Sequence, residues 1–192
     1  ASKYVKNLHT YSIGIPGSTD KYYAELVSKY CNTNHTHFEL TNDEFINAID
    51  EVIYATETYD ITTIRASVGQ YLVSKKISET TNIKVLLIGD GSDELTGGYM
   101  YFHKSPNPKD TQNETKRLLD EIHYFDVLRA DRGIASNGLE ARVPFLNHKF
   151  VDYYFNIPDK YKYIYLNYDQ YHNLGNELQK FNMEKYLLRR SF

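Results

Sequence analysis

Three carboxylates fall within five residues of one glycine turn: Asp90, Asp93 and Glu94 in IGDGSDELTGGYMYFHK, Ile88 to Lys104. Such a cluster suits a hard divalent cation, above all Mg²⁺ carried on a phosphate, because Mg²⁺ takes one or two protein carboxylates and completes its shell from water and phosphate oxygens. Gly89 and Gly91 let the backbone turn sharply and come close to a ligand. Exposed N–H groups and a helix dipole just after such a turn suit the phosphate itself. The same residue types also build ordinary capped surface turns. No stock phosphate or cation motif is matched. A Walker A loop needs Gly-Lys-Ser/Thr after its second glycine, Glu94 stands where a GxGxxG fingerprint has its third glycine, and an EF-hand loop opening at Asp90 would need glycine at Leu95.

Two further groups carry side chains of chemical interest. The string ETYDITTIRAS, Glu57 to Ser67, crowds Asp60, Thr62, Thr63 and Arg65 before a helix, and a capped helix start accounts for Asp60 or Thr62 but not for the rest. His35 and His37 alternate with Thr36 and Phe38, so the rings share a strand face; a polar face explains them better than a metal site. The lone Cys31, at the end of a predicted helix, reads as packing rather than nucleophile and allows no internal disulfide.

The elements that hold these groups alternate. His9 to Ile15 reads as a buried strand closed by the turn Pro16-Gly17-Ser18. Tyr22, Tyr23, Leu26, Val27 and Tyr30 recur at helical spacing and predict a helix over 19–31. A second strand covers 35–40. A helix over 43–56, capped by Asn42 or Asp43, carries Phe45, Ile46, Ile49, Val52 and Ile53 on one stripe. The next, over 62–79, turns Ile64, Val68, Tyr71 and Leu72 inward. Val85 to Ile88 then reads as a strand buried on both faces of a parallel sheet, with the acidic turn at its carboxyl end, where open α/β sheets bind ligands. The expected fold class is α/β, a parallel sheet with flanking helices over 1–104, followed by a mostly helical part over 105–192. In that second part Ser105 to Asp110 reads as a loop, and the polar, tyrosine-rich 159–182 as a surface excursion.

Composition narrows the classes. At 192 residues, 41% hydrophobic and 24% charged, the chain suits a globular domain with a real core. A formal charge of −3 and the lack of a basic stripe give no reason to expect nucleic acid. No apolar run approaches a membrane span and no signal peptide opens the sequence, so the expectation is a cytoplasmic protein. A homo-oligomer stays open.

Taken together and in order, YSIGIPGSTD (11–20), ETYDITTIRAS (57–67), IGDGSDELTGGYMYFHK (88–104) and GLEARVPFLNHKF (138–150) closely resemble the synthetase domain of glutamine-hydrolysing asparagine synthetases. The resemblance implies an ATP-pyrophosphatase fold of the adenine-nucleotide α-hydrolase type. It implies amidation of aspartate through β-aspartyl-AMP, with ATP and Mg²⁺, and with ammonia delivered by a glutaminase domain. By position, Ile13 resembles the residue flanking the adenine, Ile88 and Gly89 the Ser-Gly pair that meets the nucleotide, and Asp93 the acidic residue that holds Mg²⁺ and the departing pyrophosphate. Asp90 falls where many members have Glu, a residue tied to intermediate formation and attack by ammonia. A carboxylate there is placed to take a proton from the attacking nitrogen. Arg65 and Arg142 suit a carboxylate substrate, since guanidinium pairs bidentately with carboxylates, and suit a structural salt bridge equally well.

The departures from that pattern define the remaining expectations. Ile88 removes the hydroxyl of the usual serine, so its contact is apolar or through the backbone. The Ser-Gly-Gly-x-Asp-Ser phosphate loop, the catalytic N-terminal cysteine of the glutaminase domain and a downstream lysine that contacts pyrophosphate have no counterpart among these residues. The expectation is therefore an internal piece of a larger synthetase, inactive by itself. The competing readings are another acyl-adenylating enzyme of the β-lactam synthetase kind, and a non-catalytic remnant.

Overall fold

A computed structural model describes residues 1–162 and 185–191. The predicted excursion over 159–182 lies outside these residues from 163 onward. The chain divides into two compact units, one of Ala1–Leu86 with Leu128–Ala141, the other of Leu87–Val127 with Arg142–Phe192.

The first unit opens with strand β1 (His9–Gly14), helix α1 (Thr19–Cys31) and strand β2 (Asn34–Glu39). β1 and β2 pair in parallel, with Ser12 opposite His37 and Ile13 opposite Phe38. Alternation sorts the pair into two faces. On one, Ser12 Oγ lies 2.9 Å from His35 Nε2 and 2.7 Å from His37 Nδ1, and Thr10 Oγ1 lies 3.0 Å from His35 Nδ1. Hydroxyls therefore hold both rings, the polar face expected of them. The other face turns Ile13 and Leu40 toward the core, with Tyr11 stacked on Phe38.

Residues 42–56 form two helices rather than one, α2 (Asn42–Asn47) and α3 (Ile49–Thr56), meeting at Ala48. The cap is Thr41, one residue before the expected position. Its hydroxyl accepts the Glu44 N–H, and the Glu44 carboxylate accepts the Thr41 N–H, a reciprocal capping box. Helix α4 (Ile61–Thr80) begins at Asp60, whose carboxylate accepts the Thr63 N–H at 2.7 Å. Leu40, Ala48, Val52, Ile64, Val68 and Leu72 make one buried cluster, with Ile13, Phe45 and Tyr71 half-buried against it. The segment Leu128–Ala141 also belongs to the first unit. There the Arg132 guanidinium donates to the Thr56 carbonyl at 2.7 Å, and the Asn137 amide donates to Ser74 Oγ at 2.9 Å.

Two apolar stripes do not go where periodicity suggests. Tyr22, Tyr23, Leu26, Val27 and Tyr30 of α1 are all exposed, and Ser28 is the buried residue of that helix. Helical spacing identifies the helix without identifying the face it buries. Strand β3 (Val85–Leu87) is likewise not buried on both sides: Val85 and Leu87 are exposed and Leu86 is half-buried. Among the described residues β3 pairs only with β4 (Glu140–Arg142).

In the second unit β3 leads into the five-residue helix α5 (Ser92–Thr96), a 3₁₀ turn at Met100–Lys104, helix α6 (Pro108–Glu121) and the start of helix α7 (Asp126–Ala135). A 3₁₀ turn at Pro144–Leu146 follows β4, then α8 (His148–Asn156), α9 (Asp159–Lys162) and α10 (Tyr186–Arg190). The loop expected over 105–110 ends early. Asn107 caps α6 by accepting the Asp110 N–H, and Pro108 takes the first helical position, where a missing N–H costs nothing.

Candidate functional site

Two glycines bound the acidic turn on α5. Gly91 precedes the helix at φ +85° and Gly97 ends it at φ +66°, both left-handed positions that disfavour a side chain. A Cβ at Gly91 would also collide with the Leu146 side chain. Gly89 differs, since a Cβ there would meet nothing within 4 Å. The glycine requirement of the turn thus sits at Gly91. The turn is tied down by backbone bonds: Ile88 N–H to the Arg142 carbonyl at 3.0 Å, Ser92 N–H to the Gly89 carbonyl at 3.1 Å, and Leu95 N–H to the Gly91 carbonyl at 3.1 Å. With five residues, α5 is too short to supply the helix dipole expected after the turn.

The three carboxylates have separate environments. Asp93 is half-exposed and meets Lys185, whose Nζ donates to Asp93 Oδ2 at 2.9 Å and to Ser92 Oγ at 3.1 Å. Glu94 points into the protein and is 4% exposed. Burial pushes its carboxyl above the ordinary value, the Tyr99 hydroxyl donates to it, and the negative Asp126 adds to the rise. Tyr99 in turn is pushed up by burial and by Glu94. Asp90 lies half-buried in the turn itself. Glu94 is therefore an enclosed acid whose carboxyl is shifted upward by burial, whereas Asp93 faces the Lys185 ammonium.

An acid that holds its proton more firmly folded than unfolded contributes full stability below its unfolded value, near 4.5 here. That contribution fades as pH rises through the raised folded value. Glu94→Gln keeps an acceptor for Tyr99 and removes the titration. The expected result is a smaller difference in urea midpoint between about pH 5 and about pH 8 than in the parent.

The residues singled out in the sequence divide between the units. Ile88, Gly89, Asp90, Asp93 and Arg142 belong to the second, where the Ile88–Arg142 backbone bond joins the turn to β4. Ile13 and Arg65 belong to the first. Ile13 is half-buried with its side chain against the core. Arg65 is exposed on α4 at a groove of about 490 Å³ lined with Phe45, Ile49, Tyr59 and Ile61. Lys185 is the addition that only the structure supplies. It stands 92 residues from Asp93, and no periodicity or motif marks it.

Among the described residues no three His, Cys, Asp or Glu side chains converge as a ready-made metal cage. The donors that do converge, the Asp93 carboxylate and the Ser92 hydroxyl, are hard oxygens already attracting an ammonium. That set fits Mg²⁺ arriving with phosphate oxygens of its own, rather than a cation bound by protein alone. Among the described residues no helix is long and apolar enough to cross a membrane.

Comparison with known proteins shows the family. The family model described as asparagine synthase matches residues 1–118 and 104–192. The proteins named asparagine synthetase [glutamine-hydrolyzing] from Gallus gallus and Mus musculus are each 46% identical over 185 residues, and the one from Homo sapiens is 45% identical over the same length. In each case the match covers 96% of this chain and 30% of the relative. With a family model matching from end to end and an acidic turn able to meet a cation, the chain belongs to the asparagine synthase family.

Proposed function

We propose that the protein carrying this chain is an asparagine synthetase that amidates aspartate with ATP and glutamine-derived ammonia. The observation that carries this is identity of 45–46% across 96% of the chain to relatives bearing that name. In this reading a β-carboxylate oxygen of aspartate attacks the α-phosphorus of ATP and pyrophosphate leaves. Ammonia from a glutaminase domain then attacks the acyl carbon of β-aspartyl-AMP, and AMP leaves. The fold is that of the adenine-nucleotide α-hydrolases, an ATP pyrophosphatase.

The side chains take the following parts. Ile13 presents its backbone to the adenine, its side chain being engaged with the core. Ile88 and Gly89 meet the nucleotide through backbone and apolar surface, with no side chain at 89 to obstruct approach. Asp93, with Ser92 beside it, holds Mg²⁺ and with it the departing pyrophosphate; the ion's contribution is to neutralise charge that builds on the leaving group. Asp90 accepts a proton from the attacking nitrogen. Arg65 and Arg142 pair with carboxylates of the substrate. The protein works in the cytoplasm, where Cys31 stays reduced.

The test is pyrophosphate release by the full-length protein with ATP, Mg²⁺ and a panel of carboxylic acids. Release that depends on aspartate, with asparagine formed when glutamine or ammonium is added, is the expected result. Release driven by a different carboxylate, or none, overturns the reading.

A further inference from the structure

We propose that Lys185 is a tethered counter-ion of Asp93, which a divalent cation must displace and which then turns to the phosphate that the cation brings. The inference rests on Asp93 being the metal-binding carboxylate of the proposed synthetase. Its evidence is the arrangement of three residues in the second unit. Lys185 Nζ lies 2.9 Å from Asp93 Oδ2 and 3.1 Å from Ser92 Oγ, so the ammonium has settled on the oxygens that suit a hard cation. The backbone on both sides accommodates it. Lys185 adopts φ +55° and ψ +35°, a left-handed conformation unusual for a residue with a side chain, immediately before α10. Gly98 faces the pair: a Cβ there would overlap Asp93 Oδ1 and come within 2.6 Å of Lys185 Cε.

Charge makes the pairing exclusive. One ammonium neutralises one carboxylate, and Glu94 next in the chain is enclosed, with the Tyr99 hydroxyl donating to it. With Lys185 in place, Asp93 offers a metal little net negative charge, and two cations on one carboxylate repel each other. A metal carrying a polyphosphate resolves the conflict, since it takes the carboxylate while its phosphate oxygens receive the ammonium. Bare metal must displace Lys185 with nothing offered in return. The side chains are 20% and 36% exposed, so the competition is moderate rather than prohibitive.

The discriminating signature is a change of opposite sign in two affinities. In the full-length protein, Mn²⁺ as a paramagnetic stand-in for Mg²⁺ is titrated alone and then with inorganic pyrophosphate, bound metal being read by electron paramagnetic resonance. Lys185→Met is expected to tighten binding of Mn²⁺ alone by about fivefold and to weaken binding of Mn²⁺ with pyrophosphate by about tenfold. Lys185→Gln is measured alongside, and a retained thermal transition identifies folded variants. Asp93→Asn separates this inference from the reading beneath it. If Asp93→Asn abolishes Mn²⁺ binding while both Lys185 variants leave it unchanged or weaker, the counter-ion role is overturned and Asp93 stands as the metal ligand. If Asp93→Asn leaves Mn²⁺ binding intact, the metal assignment fails and takes the counter-ion role with it.

Discussion

Asp93→Asn is expected to lower aspartate-dependent pyrophosphate release by the full-length protein by about a thousandfold, the loss typical when a preorganised group aimed at developing charge is removed. Asparagine keeps the shape and one acceptor oxygen of the side chain while deleting its charge. The fold has little reason to fail, because Asp93 is half-exposed and its backbone bond, from Gly98 N–H to the Asp93 carbonyl at 2.9 Å, does not involve the carboxylate. The assay is a coupled pyrophosphate measurement under saturating ATP, with circular dichroism of the variant in parallel. A variant with native spectrum and undiminished release removes Asp93 from the chemistry. Raising Mg²⁺ should restore part of the loss in Asp93→Asn, whereas a loss that no amount of Mg²⁺ relieves separates Asp93 from the metal.

Gly91→Ala is expected to destabilise the protein by about 2–5 kcal/mol, from a left-handed conformation that costs a side chain about 1–2 kcal/mol and an overlap with the Leu146 side chain that costs about 1–3 kcal/mol. Both parts are visible in the structure: φ is +85°, and the added methyl would run into Leu146. Gly89→Ala supplies the contrast, because nothing lies within 4 Å of a Cβ at that position. Urea unfolding of Gly89→Ala, Gly91→Ala and Leu146→Ala, and of Gly91→Ala with Leu146→Ala, tests the division. The double variant should cost less than its two single substitutions added together, because the shortened side chain at 146 relieves the overlap. Equal stability of Gly89→Ala and Gly91→Ala would show that the turn does not depend on Gly91.

How much of this was legible in advance varied by element. α1 and α4 fell within a residue or so of their expected bounds, because apolar spacing over three or more turns is a strong signal. The stretch 42–56 misled. Its stripe of Phe45, Ile46, Ile49, Val52 and Ile53 is continuous, yet the chain breaks at Ala48, and the true cap is Thr41 because Glu44 answers it from three residues on. The string ETYDITTIRAS, opaque as a pattern, resolves into local parts. Asp60 is the cap, Thr63 and Ser67 are buried polar groups with Ser67 Oγ donating to the Thr63 carbonyl, Ile64 is core and Arg65 points out.

What the sequence determined by itself was the identity of the parts: a parallel βαβ opening, an acidic glycine turn after a short aliphatic strand, and an order of motifs matching one family. Those follow from periodicity, turn chemistry and residue type, which act over a few neighbours. Tertiary structure decided which faces are covered, which glycine the turn requires, and which carboxylate is buried and which meets a cation. Asp93 and Glu94 are adjacent acids with the same local context, and they part company because Glu94 is enclosed beside Tyr99 while Asp93 receives Lys185 from 92 residues away. Solvation and partners set the state of a charged group, and both depend on chain segments that no local pattern brings together.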